Sequence, residues 1–221
     1  MSSPTMEKNR FNLLIHLGSA MKQFPHLGLA EALSAGQVES KRWLIDELEK
    51  LDRPLGTIYV LGGWWGLLPA MLFESGVRME KIRSFDIDPS CAPVADTINR
   101  RYVMDNWKFK ATTQDMLEMR YDRHSYQTKR ADGTEVLLEE SPDTIINTSC
   151  EHIPNFPGWW SRIPPGKMVV LQSNNFRAPA EHVNCSDSLE EFSSAAPLGK
   201  TLFRGELNLP DYKRFMLVGI K

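Results

Sequence analysis

Several things are scarce in this 221-residue sequence, and each scarcity removes a class of protein. There are only three cysteines, Cys91, Cys150 and Cys185, an odd number with no Cys-x-x-Cys spacing. That argues against a disulfide framework and fits free thiols in a reducing compartment. No apolar run approaches the roughly 20 residues needed to cross a bilayer. Residues 1–10 are polar and lack the apolar core of a secretory leader. A cytoplasmic chain with no membrane association is therefore expected. Basic charge is not in excess: 26 Lys and Arg stand against 28 Asp and Glu, a net charge of -2. Nucleic-acid-coating proteins are usually basic, so a nucleic-acid partner is not indicated, though a local basic patch stays open. There is no internal repeat and no low-complexity tract. Nothing in the sequence sets an oligomeric state.

What is present has the texture of a globular domain, with 42% hydrophobic and 24% charged residues. After a loose tail over 1–10, helical spacing is expected over Phe11–Met21 and Leu29–Leu51. In the second stretch Trp43, Leu44, Leu48 and Leu51 recur on one face. Residues 1–56 thus read as a helical segment packed on a domain spanning 57–221. The domain opens on Thr57–Leu61, a short β-branched and aromatic run that predicts a buried strand. A glycine turn (62–66), a helix (67–75), a strand (81–86), a helix (91–102) and a strand (107–111) follow. Further strands are expected over 143–148 and 167–172. Alternating strands and helices predict a doubly wound, mostly parallel α/β sheet with helices on both faces. Thr201–Leu207 and Arg214–Ile220, split by a turn at 208–211, predict a closing antiparallel hairpin. Tyr121–Ser141 breaks the rhythm. It is polar and contains Asp132-Gly133, so it reads as an inserted hairpin or loop, a solvated excursion rather than a lid.

Three features fall at the ends of the first three strands, which places them on one rim of such a sheet. The first is Gly62-Gly63-Trp64-Trp65-Gly66, a sharp turn opening a helix whose free N–H groups face the rim. The second is Asp86 in Phe-Asp-Ile-Asp-Pro, placed to accept the hydroxyls of a ribose, while Asp88 suits a helix cap. The third is Asp115-Met116, an acceptor for an adenine amino group beside an apolar side chain. A dinucleotide fingerprint would need glycine at position 61, which is Leu61.

Together these motifs resemble the class I S-adenosylmethionine-dependent methyltransferases, over roughly 57–221. The resemblance implies a seven-stranded sheet and S-adenosylmethionine as cofactor. It assigns Gly62, Gly63, Trp64, Gly66, Asp86, Asp115 and Met116 to cofactor binding. One departure stands out: the acid usual two residues before the first glycine is Val60 here. The segment Ser34–Lys41, with Glu39 and Lys41, is the candidate replacement for that anchor.

The fourth strand ends in Asn147-Thr148-Ser149-Cys150-Glu151-His152, the densest run of reactive groups in the chain. Asn147 is the candidate to hold an acceptor, His152 to act as general base, and Glu151 to orient His152 or accept a proton. Cys150 qualifies as a nucleophile only with a depressed pKa, and a buried thiol is the blander reading. His152, His182, Cys150, Cys185 and Glu181 are conceivable metal ligands, but no pair has tight ligand spacing, so no metal is assigned. Gln172–Asn175 and Trp159-Trp160 read equally as substrate contacts or as structural groups. The expected activity is methyl transfer to a small-molecule acceptor. The alternatives are transfer of the aminocarboxypropyl group or cleavage or cyclisation of the cofactor, and a non-catalytic binding module of the same fold.

Overall fold

The computed structural model describes residues 12–130 and 132–221, except for the side chain of Asn12. The tail expected over 1–10 lies outside the described residues. Seven strands form one sheet in the order β3-β2-β1-β6-β7-β9-β8. They are β1 (Thr57–Leu61), β2 (Lys81–Asp86), β3 (Phe109–Thr113), β6 (Thr144–Asn147), β7 (Met168–Asn174), β8 (Lys200–Asn208) and β9 (Lys213–Ile220). The first five are parallel, and β9 runs antiparallel between β7 and β8. Central β1, β6 and β7 are buried along their whole length, which explains their apolar centres, while β6 and β7 turn polar at the ends that reach the rim.

The two faces of the sheet carry separate cores. Ile58, Val60, Ile146 and Val170 point to α2 (Ala35–Leu51), α3 (Leu67–Glu74) and α4 (Cys91–Ile98). Tyr59, Leu61, Ile145 and Leu171 point to α6 (Phe156–Arg162) and α7 (Leu189–Ala195), two short helices the periodicity does not reveal. This alternation is the period-two geometry of a strand. The first helix, α1 (Asn12–Gln23), packs on α4. A 3-10 turn at Leu29–Leu33 precedes α2, so the expected single helix from residue 29 is two pieces. The helix expected over 91–102 is likewise broken at Asn99, whose side chain donates to Gly66 O and Ala95 O before α5 (Arg100–Met104) begins.

The polar insertion is not a solvated excursion. Its strands β4 (His124–Lys129) and β5 (Glu135–Glu140) pair antiparallel, and alternate residues of β4 are buried. Tyr126 packs edge-on against Phe85, and Thr128 meets Thr112 of β3. The crossover from β3 to β6 is thus the expected hairpin, but it covers the sheet instead of standing in solvent. Glu140 pins it: its carboxylate accepts from Lys81 Nζ (2.6 Å), Arg83 Nε (2.6 Å) and Nη2 (2.9 Å), and the Tyr126 hydroxyl (2.7 Å).

Candidate functional site

The strands end at a cleft of about 840 Å³ above the junction of β1 and β6, where the strand order reverses. Its floor is the turn 62–66. Gly66 has φ 76°, and a Cβ there would sit 2.8 Å from Ala95 Cβ and from Asn99 Nδ2. At Gly63 a Cβ would overlap Ser84 Oγ on β2. The turn can therefore lie flat on its neighbours only with glycine at both places. Trp64 also takes a left-handed backbone, φ 48°, unusual for a bulky residue. Its N–H donates to Asp86 Oδ2 at 2.8 Å, which ties the turn to the end of β2. Asp86 Oδ1 accepts from Asp88 N, and Asp88 in turn accepts from Ser90 N at the start of α4. One backbone donor reaches each Asp86 oxygen, and the remaining lone pairs are open to a ligand.

Gly62, Gly63, Trp64, Asp86, Asp115 and Met116 all line the cleft. Gly66 lies beneath it, where its carbonyl is held by Asn99. Asp115 Oδ1 accepts from Leu117 N at 2.8 Å. Met116 is steadied by Tyr121, whose hydroxyl donates to its carbonyl, and its sulfur receives Asn147 Nδ2 at 3.4 Å. Val60, in place of the expected acid, is part of the wall.

The opposite wall is built from the end of β6, the 3-10 turn Cys150–His152, and the loop after β7. Glu151 and His152 line it, one buried and one exposed. Asn147 does not reach the wall. It is fully buried, and its side-chain oxygen accepts from Ser149 N at 2.8 Å, which sets the course of the turn. Cys150 is fully buried, and burial, then the charge of Glu151, push its thiol well above the ordinary range. A nucleophilic role needs the opposite shift. Trp159 and Trp160 belong to the core rather than to an aromatic wall. Gln172 donates to Ser40 O, and Asn174 donates to Glu151 Oε1 at 2.5 Å.

Three charged groups in the cleft come from distant parts of the chain. Glu151 Oε1 lies 3.6 Å from Arg214 Nη2, and both residues are buried. Lys41 of α2 is also buried, with Nζ donating to Gln37 Oε1 at 2.5 Å. Burial and then the charge of Arg214 lower its pKa to about 7, against the pull of Glu151. Glu39, by contrast, is exposed and does not line the cleft. Arg214 had no signal in the sequence, whereas Gln37 and Lys41 lie in the Ser34–Lys41 segment named as the candidate anchor. Lys41 is buried on the face of α2 that carries Ser40, Leu44, Ile45 and Leu48.

No protein-family model matches the chain, and no curated protein matches it significantly. Solved structures do. The N-methyltransferase NodS from Bradyrhizobium japonicum WM9 in complex with S-adenosyl-L-homocysteine aligns with a TM-score of 0.58 at 10% identity, over 92% of this chain and 98% of that one. Magnesium protoporphyrin IX methyltransferase from Synechocystis PCC 6803 with bound S-adenosylmethionine gives 0.56 at 12% identity, over 86% and 82%. The small RNA methyltransferase HEN1 gives 0.57 at 14%, over 82% of this chain and 25% of that one. Their acceptors differ widely, so the likeness does not extend to an acceptor. No helix among the described residues is long and apolar enough to cross a membrane. The chain has the fold of the class I S-adenosylmethionine-dependent methyltransferases.

Proposed function

We propose that the chain is an S-adenosylmethionine-dependent methyltransferase acting on a small-molecule acceptor. The observation that carries this reading is the convergence of the 62–66 turn, Asp86 and Asp115 on one cleft, opposite a wall bearing Glu151 and His152. The residues present fit the cofactor. Asp86 keeps lone pairs for a ribose, Asp115 for an adenine amino group, and Met116 offers an apolar surface. The cleft lies in the range of about 300–1,000 Å³ typical of small-molecule sites.

When bound, the cofactor supplies an electrophilic methyl group. The chain's part is to hold the acceptor in line with it and to take up a proton. Positioning can lower a barrier by several kcal/mol, on the order of 7–11 at its best. Lys41 and Arg214 offer positive charge for the cofactor's carboxylate, and Gln37, which lines the same cleft, offers an amide oxygen to its amino group. His152 is the group placed to receive the acceptor's proton, Glu151 orients the acceptor, and Asn147 holds the turn that carries both. Calorimetric titration with S-adenosylhomocysteine tests the reading directly. Micromolar binding is expected in the wild type, and absence of binding would favour a non-catalytic module.

Val60 favours one second reading, since an altered grip on the methionine end changes which carbon faces a nucleophile. Transfer of the aminocarboxypropyl group would release methylthioadenosine, whereas methyl transfer releases S-adenosylhomocysteine. Mass analysis of the spent cofactor separates the two.

A further inference from the structure

We propose that Glu151, His152 and His182 form a binding site for a divalent first-row transition-metal ion on the acceptor side of the cleft. One ligand atom from each of the three lies within 4.8 Å of the others, although thirty residues separate the two histidines. A filled site with bonds of about 2.1 Å has edges of roughly 3–3.4 Å, so closure needs only modest side-chain adjustment. Exposed His152 is free to make most of it.

The surroundings are those of a prepared site. Glu151 is 2% exposed, and its Oε1 is held by Asn174. Its Oε2 is buried and has no hydrogen-bond partner among the described residues. A buried carboxylate oxygen left bare is costly, and a cation is the natural partner. Arg214 does not fill that place: it approaches Oε1, at 3.6 Å, and points Nη1 to Thr148 O. His182 Nδ1 lies 2.5 Å from the carbonyl oxygen of Phe176. A carbonyl can only accept, so Nδ1 carries the proton and Nε2 presents its lone pair. This backbone contact is how metal-binding histidines are commonly oriented. The histidine rings stand nearly perpendicular, with centroids 4.7 Å apart.

The two ligand-bearing segments are also fastened to each other. Asn184 N donates to Glu151 O at 2.8 Å, and Asn184 Nδ2 donates to Cys150 O at 3.3 Å. His182 is thereby held opposite the 150–152 turn by contacts of Asn184 that do not involve the ligand atoms. Two imidazoles and one carboxylate suit the later first-row divalent ions and leave coordination positions open. Because all three residues line the cleft, those positions face it. They would take an oxygen of the acceptor, whose hydroxyl becomes more acidic on coordination. His152 is then a ligand rather than the proton acceptor. Only this use of the ion rests on the methyl-transfer reading; the site itself stands on the side chains.

The test is a titration of the full chain, untagged and chelator-treated, with Co2+ followed by visible absorption. S-adenosylhomocysteine binding is measured by calorimetry on the same preparation. One saturable equivalent of Co2+ is expected, displaced by Zn2+ and weakened at least tenfold in His182→Ala and in His152→Ala. Thermal melting without metal checks that each variant is folded. His152→Ala is the variant that keeps the test decisive, because its side chain is exposed. No saturable uptake by the wild type, or equal uptake by His152→Ala, overturns the site. Cofactor binding without cobalt uptake overturns the metal site and leaves the methyl-donor reading standing. Cobalt uptake that is lost in the variants, with no cofactor binding, supports the site and removes the donor reading.

Discussion

Two largely buried glutamates, Glu140 and Glu151, meet buried arginines in this molecule with opposite results. Glu140 receives four hydrogen bonds, from Lys81, twice from Arg83, and from Tyr126. Against the opposing effect of burial, those donors pull its pKa down to about 2. Every demand of the charge is met, and the group fastens the hairpin to the sheet. Glu151 has one firm donor, one bare oxygen, an arginine at 3.6 Å and a lysine whose pKa falls to about 7. A carboxylate that is saturated does structural work; one left partly unsatisfied in a cleft is available for a ligand. Local composition does not distinguish them. Only the long-range partners do.

The sharpest way to break this contrast is to remove the buried arginine from the saturated group. Arg83→Ala should destabilise the fold by about 1.5–3 kcal/mol, because it removes two of the four donors to Glu140 and leaves only Lys81 and Tyr126 to hold it. Urea unfolding measures that loss, and S-adenosylhomocysteine affinity of the folded fraction should stay within about twofold. A destabilisation below about 1 kcal/mol would show that the hairpin is not fastened by this pair.

On the unsaturated side the sign should reverse. Lys41→Met removes a charge that the fold desolvates without a close carboxylate, so stability should rise at pH 6, by on the order of a few kcal/mol. Cofactor affinity should fall in the same variant. Because the folded pKa lies below the usual 10.5, the unfolded chain binds more protons between pH 7 and 10.5. Wild-type stability should therefore rise with pH across that window, and the rise should be absent in Lys41→Met.

Asp86 is an intermediate case, with one backbone donor to each oxygen. Asp86→Ala should cost about 1.5–3 kcal/mol of cofactor binding, roughly ten- to a hundredfold in affinity by calorimetry. Undiminished affinity would remove the ribose role. The smallest expected effect is the acid limb of stability. The contribution of Glu140 is complete above its ordinary value of 4.5 and lost as pH falls towards 2. Denaturant midpoints between pH 5 and 2 should drop in the wild type and drop less in Glu140→Gln.

Much of the frame was legible because it is written in short-range patterns. β1, β6 and β7 are buried on both faces and so carry adjacent apolar residues instead of an apolar-polar alternation. Gly63 and Gly66 announced a turn, and Asp86 and Asp115 followed their strands at the expected places. The insertion misled because its polarity is real on one face only. Tyr126 and Thr128 turn inward at alternate positions, and the charges of Glu140 and Arg83 cancel out of sight. The helices α6 and α7 are too short, at seven residues each, to display a period. In the site, Asn147 looked like a substrate contact because amides at strand ends often are, yet its oxygen is occupied by Ser149. Lys41, Arg214 and His182 were illegible as partners of Glu151, since their distance along the chain carries no information about contact.

The hairpin has a use that follows from where it is fastened. Glu140 secures its base, while Asp132 and Gly133 at the tip are exposed, and a Cβ added at Gly133 would meet nothing within 4 Å. None of residues 129–130 or 132–135 lines the cleft. The chain can therefore be lengthened at that tip with little disturbance to the core. A fluorophore, an affinity handle or a whole reporter domain inserted between Asp132 and Gly133 would hang from the far end of the paired strands, with the chemistry of the cleft left to itself.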